Sequence, residues 1–396
     1  MNNKKDILFI THELQCGGAE KALISLLQVI DYDKYNVYVQ LFWNRGLFLN
    51  QLHEKVILLP APVEFQYFDM PIKKALIESL KLGRVDIFYN RIVSSIKMKF
   101  EDNVYRKEQL SWKYVSRCFP KLKKKFDYAV GCIEKGPNYF CVEKVDASKK
   151  LGWIHNDYDK MQMSKEIDIP FFEKIDFIFT DSKECKFVLE KNFEMFQGKF
   201  QVLKNIVSPK LIHKLAQERI EESYTGFKII SVGRFSPQKG YDMAIDAAKI
   251  VKDKGYDFNW IILGDGELKE ELKEQIAEND LEANIQLLGI KENHYPYVKQ
   301  ADLFIQTSRF EGKSISIDEA KILNKPILVT NFSTVKDQVT DYKTGIIAEM
   351  NAESIAAKII ELINNQELRE KLAHNLSLED NGTESEIERF YQFLNN

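Results

Sequence analysis

The sequence has few cysteines and no long apolar segment, and each lack excludes a class of protein. The five cysteines are odd in number and form no CxxC pair, so we expect neither a disulfide framework nor a zinc site. They are Cys16, Cys118, Cys132, Cys141 and Cys185. The apolar run near the N-terminus is far shorter than the roughly 18 residues that cross a bilayer, and no signal-peptide cleavage pattern follows it. We therefore expect a cytoplasmic protein in a reducing compartment.

A large net charge is also missing. The formal net charge is -3 at pH 7, which excludes a generally basic nucleic-acid binder. The charge is uneven, however, because residues 73–125 contain 15 Lys or Arg and only 5 Asp or Glu. A basic segment inside an otherwise acidic chain favours an anionic partner.

The apolar runs predict two α/β domains, since 396 residues are too many for one ordinary core. In the first half, a strand-like run at 6–11 precedes a glycine turn, helical periodicity over 19–30 and a second strand-like run at 37–42. This is the order of a βαβ unit. The second half alternates strands and helices as a doubly wound parallel sheet does. Its strand-like runs are 228–232, 260–263, 285–288, 303–306 and 327–330.

A polar, charged stretch around 208–226 separates the two halves. We therefore predict an N-terminal domain of residues 1–207 and a C-terminal domain of residues 208–376. Residues 377–396 end in an amphipathic helical pattern, and that helix can return to the N-terminal domain.

The first chemical signal is VGRFSPQKG at 232–240, between a predicted strand and a predicted helix. Ligands of open α/β sheets bind at the carboxyl ends of strands, beside helix N-termini. Arg234 and Lys239 are cations at such an end, and they suit a diphosphate. Gly264 and Gly266 follow a later strand and permit a tight turn close to the same ligand.

The second signal is a pair of glutamates, Glu311 and Glu319, eight positions apart around a predicted helix start. Carboxylates accept hydrogen bonds from sugar and ribose hydroxyls, and amides at a helix start hold phosphate oxygens. The alternative interpretation is two surface glutamates that the helix dipole favours.

Together these stretches resemble the retaining glycosyltransferase family four, which has the GT-B fold. Glu311 and Glu319 match its EX7E motif, VGRFSPQKG its phosphate loop, LGDGEL its Leu-Gly-Asp-Gly segment, and QCGGAEKAL its N-terminal glycine loop. The resemblance covers residues 6–375. It implies two Rossmann-like doubly wound domains that face a central cleft, and a transfer that retains anomeric configuration without a metal or another cofactor.

The resemblance also implies roles for individual residues. Arg234 and Lys239 would neutralise the donor diphosphate. Glu319 would hold the ribose, and Glu311 would face the transferred sugar. His155 matches the family's inter-domain histidine and would hydrogen-bond that sugar. The other implied donor-binding positions, with backbone amides expected from 312–314, are Gly17, Gly18, Gly233, Gly264, Leu288, Gly312, Lys313, Ser314 and Ile315.

Two DxD patterns favour a rival interpretation, a metal-dependent GT-A transferase in which such a pair binds a divalent ion. Asp31 and Asp33 follow a predicted helix, where turn roles explain them. Asp157 and Asp159 lie near the expected cleft, where loop or acceptor roles are open. Because two cations already face the diphosphate, we predict no metal site.

The basic stretch 73–125 interleaves cations with aromatic residues, in the domain where this family binds acceptors. Such a surface suits an anionic bilayer. We therefore predict a hexosyltransferase bound peripherally to the inner face of the membrane. It would move a hexose or N-acetylhexosamine from a nucleotide sugar, with UDP as the nucleotide, to a lipid-linked saccharide in cell-surface polysaccharide or capsule synthesis. The alternatives are a GT-B transferase with a soluble acceptor and a non-catalytic nucleotide-sugar-binding partner subunit.

Overall fold

The computed structural model describes residues 4–15, 17–220 and 226–395, and the chain divides into two compact units. The first unit comprises Met1–Lys204 with Glu386–Asn396, and the second comprises Asn205–Ser385. Each unit is a parallel sheet covered by helices. The two Rossmann-like domains expected from the sequence are therefore confirmed.

The first unit is built on seven strands, which are β1 (Lys5–Thr11), β2 (Tyr35–Leu41), β3 (Ile57–Leu58), β4 (Lys125–Gly131), β5 (Asp146–Ile154), β6 (Phe177–Thr180) and β7 (Phe200–Val202). They pair in parallel in the order β3-β2-β1-β4-β5-β6-β7. The chain moves outward from β1 to β3 and then returns to place β4 beside β1. Residues 7–10 of β1 are completely buried, as expected for a strand covered on both faces of its sheet.

The helices of the first unit before residue 200 are α1 (Gly18–Val29), α2 (Gln66–Asp69), α3 (Ile72–Lys81), α4 (Val85–Met98), α5 (Val104–Cys118), α6 (Gly136–Lys144), α7 (Tyr158–Met161), α8 (Lys165–Phe172) and α9 (Lys183–Asn192). Side-chain caps fix several of their starts. Asn103 accepts a hydrogen bond from an α5 amide, and Ser182 does the same for α9. Helices α2–α5 all lie between β3 and β4 in the chain, so this excursion is the most irregular part of the unit.

The second unit is built on β8 (Phe227–Val232), β9 (Phe258–Leu263), β10 (Ile285–Gly289), β11 (Leu303–Gln306), β12 (Ile327–Thr330) and β13 (Ile346–Ala348). These strands form a parallel sheet in the order β10-β9-β8-β11-β12-β13. Its helices are α10 (Pro209–Leu215), α11 (Tyr241–Asp253), α12 (Lys269–Glu278), α13 (Tyr295–Gln300), α14 (Ile315–Ile322), α15 (Ala352–Asn364) and α16 (Gln366–Ser377). The five strands predicted for this half are confirmed, and β13 is an additional one.

Alternate strand residues of the second unit enter two separate cores. Ile229 and Leu303 pack with α11 and α15, whereas their neighbours Ile230 and Phe304 pack with α13 and α14. Successive side chains of a strand point to opposite faces, so one apolar run supplies both cores. This explains why the strands of this sheet are apolar at nearly every position.

The boundary between the units differs slightly from the predicted one. The sequence placed residues 205–207 in the first domain and grouped 377–385 with the terminal helix, but both segments belong to the second unit. The reason is a small set of hydrogen bonds around Thr383. Its hydroxyl donates to the carbonyl of Asn205 (2.7 Å) and accepts from the amide of Val207 (2.8 Å).

The last helix, α17 (Glu386–Asn395), packs against the first unit. The ring of Phe390 lies 6.1 Å from that of Phe9 on β1, and the hydroxyl of Tyr391 accepts a hydrogen bond from the amide of Asp31 (2.6 Å). The amphipathic pattern at the end of the sequence therefore covers the first sheet.

No helix among the described residues is both long and apolar enough to cross a bilayer. The four described cysteines are buried and free of disulfides, and Cys16 lies outside the described residues.

Gly240→Ala should destabilise the second unit more than Gly255→Ala. Both glycines have positive φ, +61° and +83°, which costs any other residue about 1–2 kcal/mol. A Cβ at Gly240 would also lie 2.3 Å from the carbonyl oxygen of Thr307, whereas nothing lies within 4 Å at Gly255. We expect losses in unfolding free energy of about 3 and about 1 kcal/mol, measured by chemical denaturation. Equal losses would show that the collision at Gly240 is relieved.

Candidate active site

The site of the second unit lies where its strand order reverses. The chain runs outward from β8 to β10 and then returns to place β11 beside β8. The carboxyl ends of two such neighbouring strands flank a crevice in which α/β sheets bind ligands. The loops that follow β8 and β11 contain the predicted phosphate loop and the pair of glutamates, so both signals lie at one edge of one sheet.

Close backbone packing fixes these loops. A Cβ at Gly264 would lie 1.9 Å from the carbonyl oxygen of Gly233, so the turn after β9 presses directly on the loop after β8. The amide of Gly264 donates to the carbonyl of Gly289 at the end of β10 (3.0 Å). Arg309, in the loop after β11, donates to the carbonyl of Pro237 in the loop after β8 (2.8 Å). The strand-end loops of the unit thus support one another.

The central contact is an ion pair between the two loops. Lys239 Nζ lies 2.7 Å from Oε1 of Glu311, and both side chains are largely buried. The same oxygen accepts hydrogen bonds from the hydroxyl of Ser308 (2.6 Å) and from Nε2 of Gln306 (3.1 Å). A buried carboxylate needs such partners, because an unpaired one would lose several kcal/mol of solvation. The arrangement holds a cation and an anion side by side at the sheet edge.

Glu319, on α14, is held by a different pair of side chains. The hydroxyl of Tyr295 donates to its Oε1 (3.0 Å), and Nε2 of His294 lies 2.8 Å from its Oε2. Burial, and then the nearby Glu319 carboxylate, raise the pKa of Tyr295, so this tyrosine stays a donor. No motif in the sequence marks His294 and Tyr295. Their signal is weak, since only their position a few residues after β10 connects them with the site.

The first unit has a polar cluster at the corresponding edge of its own sheet. His155 follows β5, and its Nδ1 lies 2.8 Å from Oδ2 of Asp181 after β6, while its Nε2 lies 2.9 Å from the carbonyl oxygen of Cys132 after β4. Burial alone would lower the pKa of His155, but the Asp181 and Glu134 carboxylates outweigh it and raise the pKa to about 9. The ring is therefore an imidazolium at pH 7, and both of its N–H groups are donors to groups of the first unit.

Comparison with known proteins finds a family match in the second unit. Residues 214–377 match the family model described as glycosyl transferases group 1, and this range contains the whole β8–β13 sheet. The match to the group 1 glycosyl transferases extends over this part of the chain alone. The resemblance seen in the motifs of the sequence is thereby confirmed for this part of the chain.

Relatives and solved structures extend the comparison. An uncharacterized glycosyltransferase of Methanocaldococcus jannaschii is 31% identical over 199 residues, which are 47% of this chain and 49% of that protein. The chain thus spans about half the length of this relative, and 40% of a second one from the same organism.

Two further matches cover nearly the whole chain. One is an N-acetylgalactosamine-N,N'-diacetylbacillosaminyl-diphospho-undecaprenol 4-alpha-N-acetylgalactosaminyltransferase of Campylobacter jejuni. It is 23% identical over 347 residues, 87% of this chain and 86% of that protein. The crystal structure of Anabaena HepE in complex with UDP-glucose has a TM-score of 0.70 at 17% identity, and the match covers 99% of this chain and 100% of HepE. At this identity the likeness shows the shared GT-B fold alone.

Within the second unit, the structure brings together several residues predicted for the site. Lys239 and Glu311 are in contact, Gly233 and Gly264 form the packed turns beside them, and Glu319 lies on the following helix. Arg234 is exposed in the loop after β8. Leu288 is half-buried at the end of β10, and Ile315 is the first residue of α14.

The segment 312–314 differs from the expectation that it offers its backbone amides. The amide of Ser314 already donates to Oε1 of Gln338 (2.8 Å), and Nε2 of Gln338 donates to the carbonyl of Ser314 (2.8 Å). Lys313 turns its side chain to an ion pair with Asp318, and Gly312 is buried. Gln338, which no motif marks, therefore fixes this segment of the second unit and occupies one of the three amides.

The site residues predicted in the first unit are Gly17, Gly18 and His155. Gly17 caps α1 through its backbone, and Gly18 is exposed with nothing within 4 Å of a Cβ built on it. His155 was expected to hydrogen-bond a sugar, but both of its ring nitrogens already bond within the first unit. A sugar could use these nitrogens only by displacing Asp181 or the Cys132 carbonyl.

The DxD carboxylates have local partners. Asp31 pairs with Lys34 (2.9 Å) in the turn after α1. Asp157 accepts hydrogen bonds from the amides of Asp159 and Lys160 and so caps α7. Among the described residues, no group of three His, Cys, Asp or Glu side chains is placed to hold a metal ion.

Asp181→Asn should weaken the pH dependence of stability in the first unit. The pKa of His155 is raised from 6.5 to about 9 in the folded chain, so its ion pair stabilises the fold fully below about pH 6.5. That stabilisation is lost as the pH rises through about 9. The variant has a lower melting temperature at neutral pH, and its melting temperature falls less between about pH 6 and about pH 9.5.

Asp31→Asn is the matched control, because it removes a half-buried carboxylate of the same unit that pairs with Lys34. It should keep the wild-type slope of melting temperature against pH. An unchanged slope in Asp181→Asn would mean that the charge of His155 does not depend on Asp181.

Proposed function

We propose that this chain is a retaining, metal-independent glycosyltransferase. It moves a hexose or N-acetylhexosamine from a nucleotide-diphosphate sugar, with UDP as the nucleotide, to a lipid-linked saccharide in cell-surface polysaccharide synthesis. The observation that carries the proposal is the contact between Lys239 and Glu311 at the β8/β11 edge, with Glu319 held on the next helix. The match of residues 214–377 to the group 1 family supports it, as do the activity for which the Campylobacter relative is named and the UDP-glucose bound by HepE.

The donor side of the proposal follows from charge. When a sugar leaves a diphosphate, positive charge develops on the sugar and negative charge on the leaving group. Lys239 and the exposed Arg234 supply positive charge at the sheet edge, which is the contribution that a metal ion makes in other transferases. Glu311 keeps Lys239 directed into the site, and a bound diphosphate would share that ammonium group.

Retention of configuration defines the bonds that change. The acceptor oxygen bonds to the anomeric carbon on the face from which the diphosphate departs, and the bond from that carbon to the phosphate oxygen breaks. The hydroxyl proton of the acceptor passes to the leaving phosphate oxygen. No residue forms a covalent intermediate in this scheme. Glu311 contributes a hydrogen-bond acceptor for a sugar hydroxyl and a negative charge near the developing positive one.

Helices α3 and α4 support a membrane-bound acceptor because several of their large apolar residues are exposed. Their buried positions include small or polar residues such as Ser79 and Asn90. Their exposed positions include large apolar residues: Ile77 and Leu80 on α3 are more than half exposed, as is Tyr89 on α4. Contiguous exposed apolar surface marks an interaction site, and the surrounding lysines suit anionic lipid. The exposed lysines here are Lys73, Lys74, Lys81, Lys97 and Lys99.

The structure restricts this surface to part of the basic stretch 73–125. Trp112 and Phe119 are core residues and do not reach the surface. Arg84 forms ion pairs with Glu64 and Asp86, so its charge is neutralised within the unit. The proposed lipid-binding surface is therefore the outer side of α3 and α4.

Lys239→Ala should lower sugar transfer by about 10²–10³-fold, because the leaving diphosphate loses its buried cation. Glu311→Ala and Arg234→Ala should also lower it by orders of magnitude. The assay follows transfer of labelled sugar from UDP-glucose and UDP-N-acetylglucosamine to polyprenyl-diphosphate-linked saccharides, with EDTA present. Lys249→Ala is the control, since this lysine pairs with Asp253 on the surface of α11.

Wild-type turnover in one of the three variants would remove that residue from the site. A wild-type enzyme that EDTA inactivates would contradict metal independence. Nucleotide-sugar binding without transfer to any acceptor would point to the non-catalytic partner subunit instead.

Leu80→Ser combined with Tyr89→Ser should reduce binding to anionic vesicles at least about tenfold, because two large apolar side chains no longer enter the bilayer. Flotation with phosphatidylglycerol vesicles measures the bound fraction, and phosphatidylcholine vesicles test the need for negative charge. Phe187→Ser is the control, as this residue is 61% exposed on α9 of the same unit. Absence of the wild-type protein from the lipid fraction at every salt concentration would contradict the proposal.

A further inference from the structure

The β8/β11 edge of the second unit contains a tyrosine that the mechanism above does not use. Tyr241 directly follows the predicted phosphate loop and is the first residue of α11. Its side chain is only 4% exposed, and its ring meets that of Phe235 edge-on, with 5.6 Å between the ring centroids. Packing therefore fixes the ring, and with it the position of the hydroxyl group.

The hydroxyl of Tyr241 lies beside the lysine of the central ion pair. A Cβ at Gly233 would be 2.9 Å from this hydroxyl oxygen and 3.1 Å from Cε of Lys239, so both groups border the same backbone position. Burial raises the pKa of Tyr241, and the nearby carboxylate of Glu311 raises that pKa further. The phenol is therefore protonated at pH 7 and is a hydrogen-bond donor next to Lys239.

This hydroxyl has no hydrogen-bond partner among the described residues. Tyr295, another buried tyrosine of the same unit, donates to Glu319 (3.0 Å). A buried hydroxyl normally finds a partner, because an unpaired one loses its hydration without compensation. The hydroxyl oxygen of Tyr241 is not sealed from solvent, since none of the completely buried, unpaired oxygens of the described side chains belongs to it. The unused donor therefore points to a ligand that can reach it.

We propose that the hydroxyl of Tyr241 donates a hydrogen bond to an oxygen of the donor diphosphate. This rests on the proposed function, because it adds a binding residue to the donor site of that same transfer. A phenol beside an ammonium group offers donors, and a diphosphate offers acceptors, so the two sets match. All the groups involved belong to the second unit. A hydroxyl of the transferred sugar is the other group that could accept this bond, and nucleotides without a sugar separate the two.

Tyr241→Phe tests the proposal, because it removes the hydroxyl and keeps the ring. Calorimetric titration of the full chain with UDP, GDP and ADP, each alone and as its glucose conjugate, measures the Kd of every nucleotide that binds. We expect Tyr241→Phe to raise that Kd about 10- to 100-fold, the loss typical of one hydrogen bond to a charged group. The rise should be equal for a nucleoside diphosphate and its glucose conjugate, because the two share the diphosphate.

Stability without ligand shows whether the variant still folds. Since the hydroxyl of Tyr241 bonds to no described residue, its removal should leave the melting temperature unchanged or slightly higher. Tyr32→Phe is the matched control, because the hydroxyl of this buried tyrosine of the first unit donates to the carbonyl of Leu27 (2.7 Å). The control should lower the melting temperature and keep the wild-type Kd for every nucleotide.

A second measurement locates the bond. The phosphorus NMR signals of the bound nucleoside diphosphate report the surroundings of each phosphate, so at least one signal should differ between the wild-type protein and Tyr241→Phe. Equal Kd values for these two proteins would overturn the proposal. A higher Kd for the glucose conjugate alone would also overturn it, because that result assigns the hydroxyl to the sugar.

These outcomes are distinct from a failure of the proposed function. A wild-type protein that binds none of the nucleotides would overturn the donor site and this proposal together. If nucleotides bind but no sugar is transferred to any acceptor, the proposed transfer fails. The comparison of Kd values then still decides whether Tyr241 contacts the diphosphate.

Discussion

The ion pair between Lys239 and Glu311 is the contact on which the site of the second unit depends. Two charges removed from water lose several kcal/mol of solvation each unless they are paired and hydrogen-bonded. Glu311 meets this requirement, because one of its oxygens accepts from Lys239, Ser308 and Gln306. The pair is therefore stable without a ligand, and it holds the ammonium group at the carboxyl edge of the sheet. A diphosphate would find that cation already in place.

The position of this pair could be predicted from the sequence, because it follows from sheet topology. Lys239 and Glu311 are far apart in the chain, but each lies in the loop after an apolar strand. Once those strands are assigned to one doubly wound sheet, their carboxyl ends meet at the strand-order reversal. The glycines that press the loops together are also visible in the sequence, since Gly233 and Gly264 directly follow strands.

The partners that fix the side chains could not be predicted in the same way. Gln338 bonds to both backbone groups of Ser314, and His294 and Tyr295 hold Glu319, yet no local pattern marks them. Such contacts depend on how helices pack on the sheet. In helices α3 and α4, the sequence pattern is visible but its usual interpretation is wrong. Ile87 is buried, but Ile77, Leu80 and Tyr89 face outward, so the rule that apolar residues face the core fails at these positions.

The two histidines at the edge of the first sheet show how neighbours decide the chemistry of one residue type. His155 has the carboxylates of Asp181 and Glu134 nearby, and these outweigh burial and keep it charged. His12 packs against aromatic rings, and its burial outweighs the nearby carboxylates and lowers its pKa to about 4. The charged ring therefore joins the ends of three strands through hydrogen bonds, whereas the neutral ring is held by aromatic packing.

The strand-order reversals of the two sheets therefore differ in their chemistry. In the second sheet, the reversal carries Lys239 with an exposed arginine in the same loop. In the first sheet, the reversal carries His12 beside aromatic rings and Gly136. The same fold supplies two edges, and the residues after the first strand of each sheet give those edges their different chemistry.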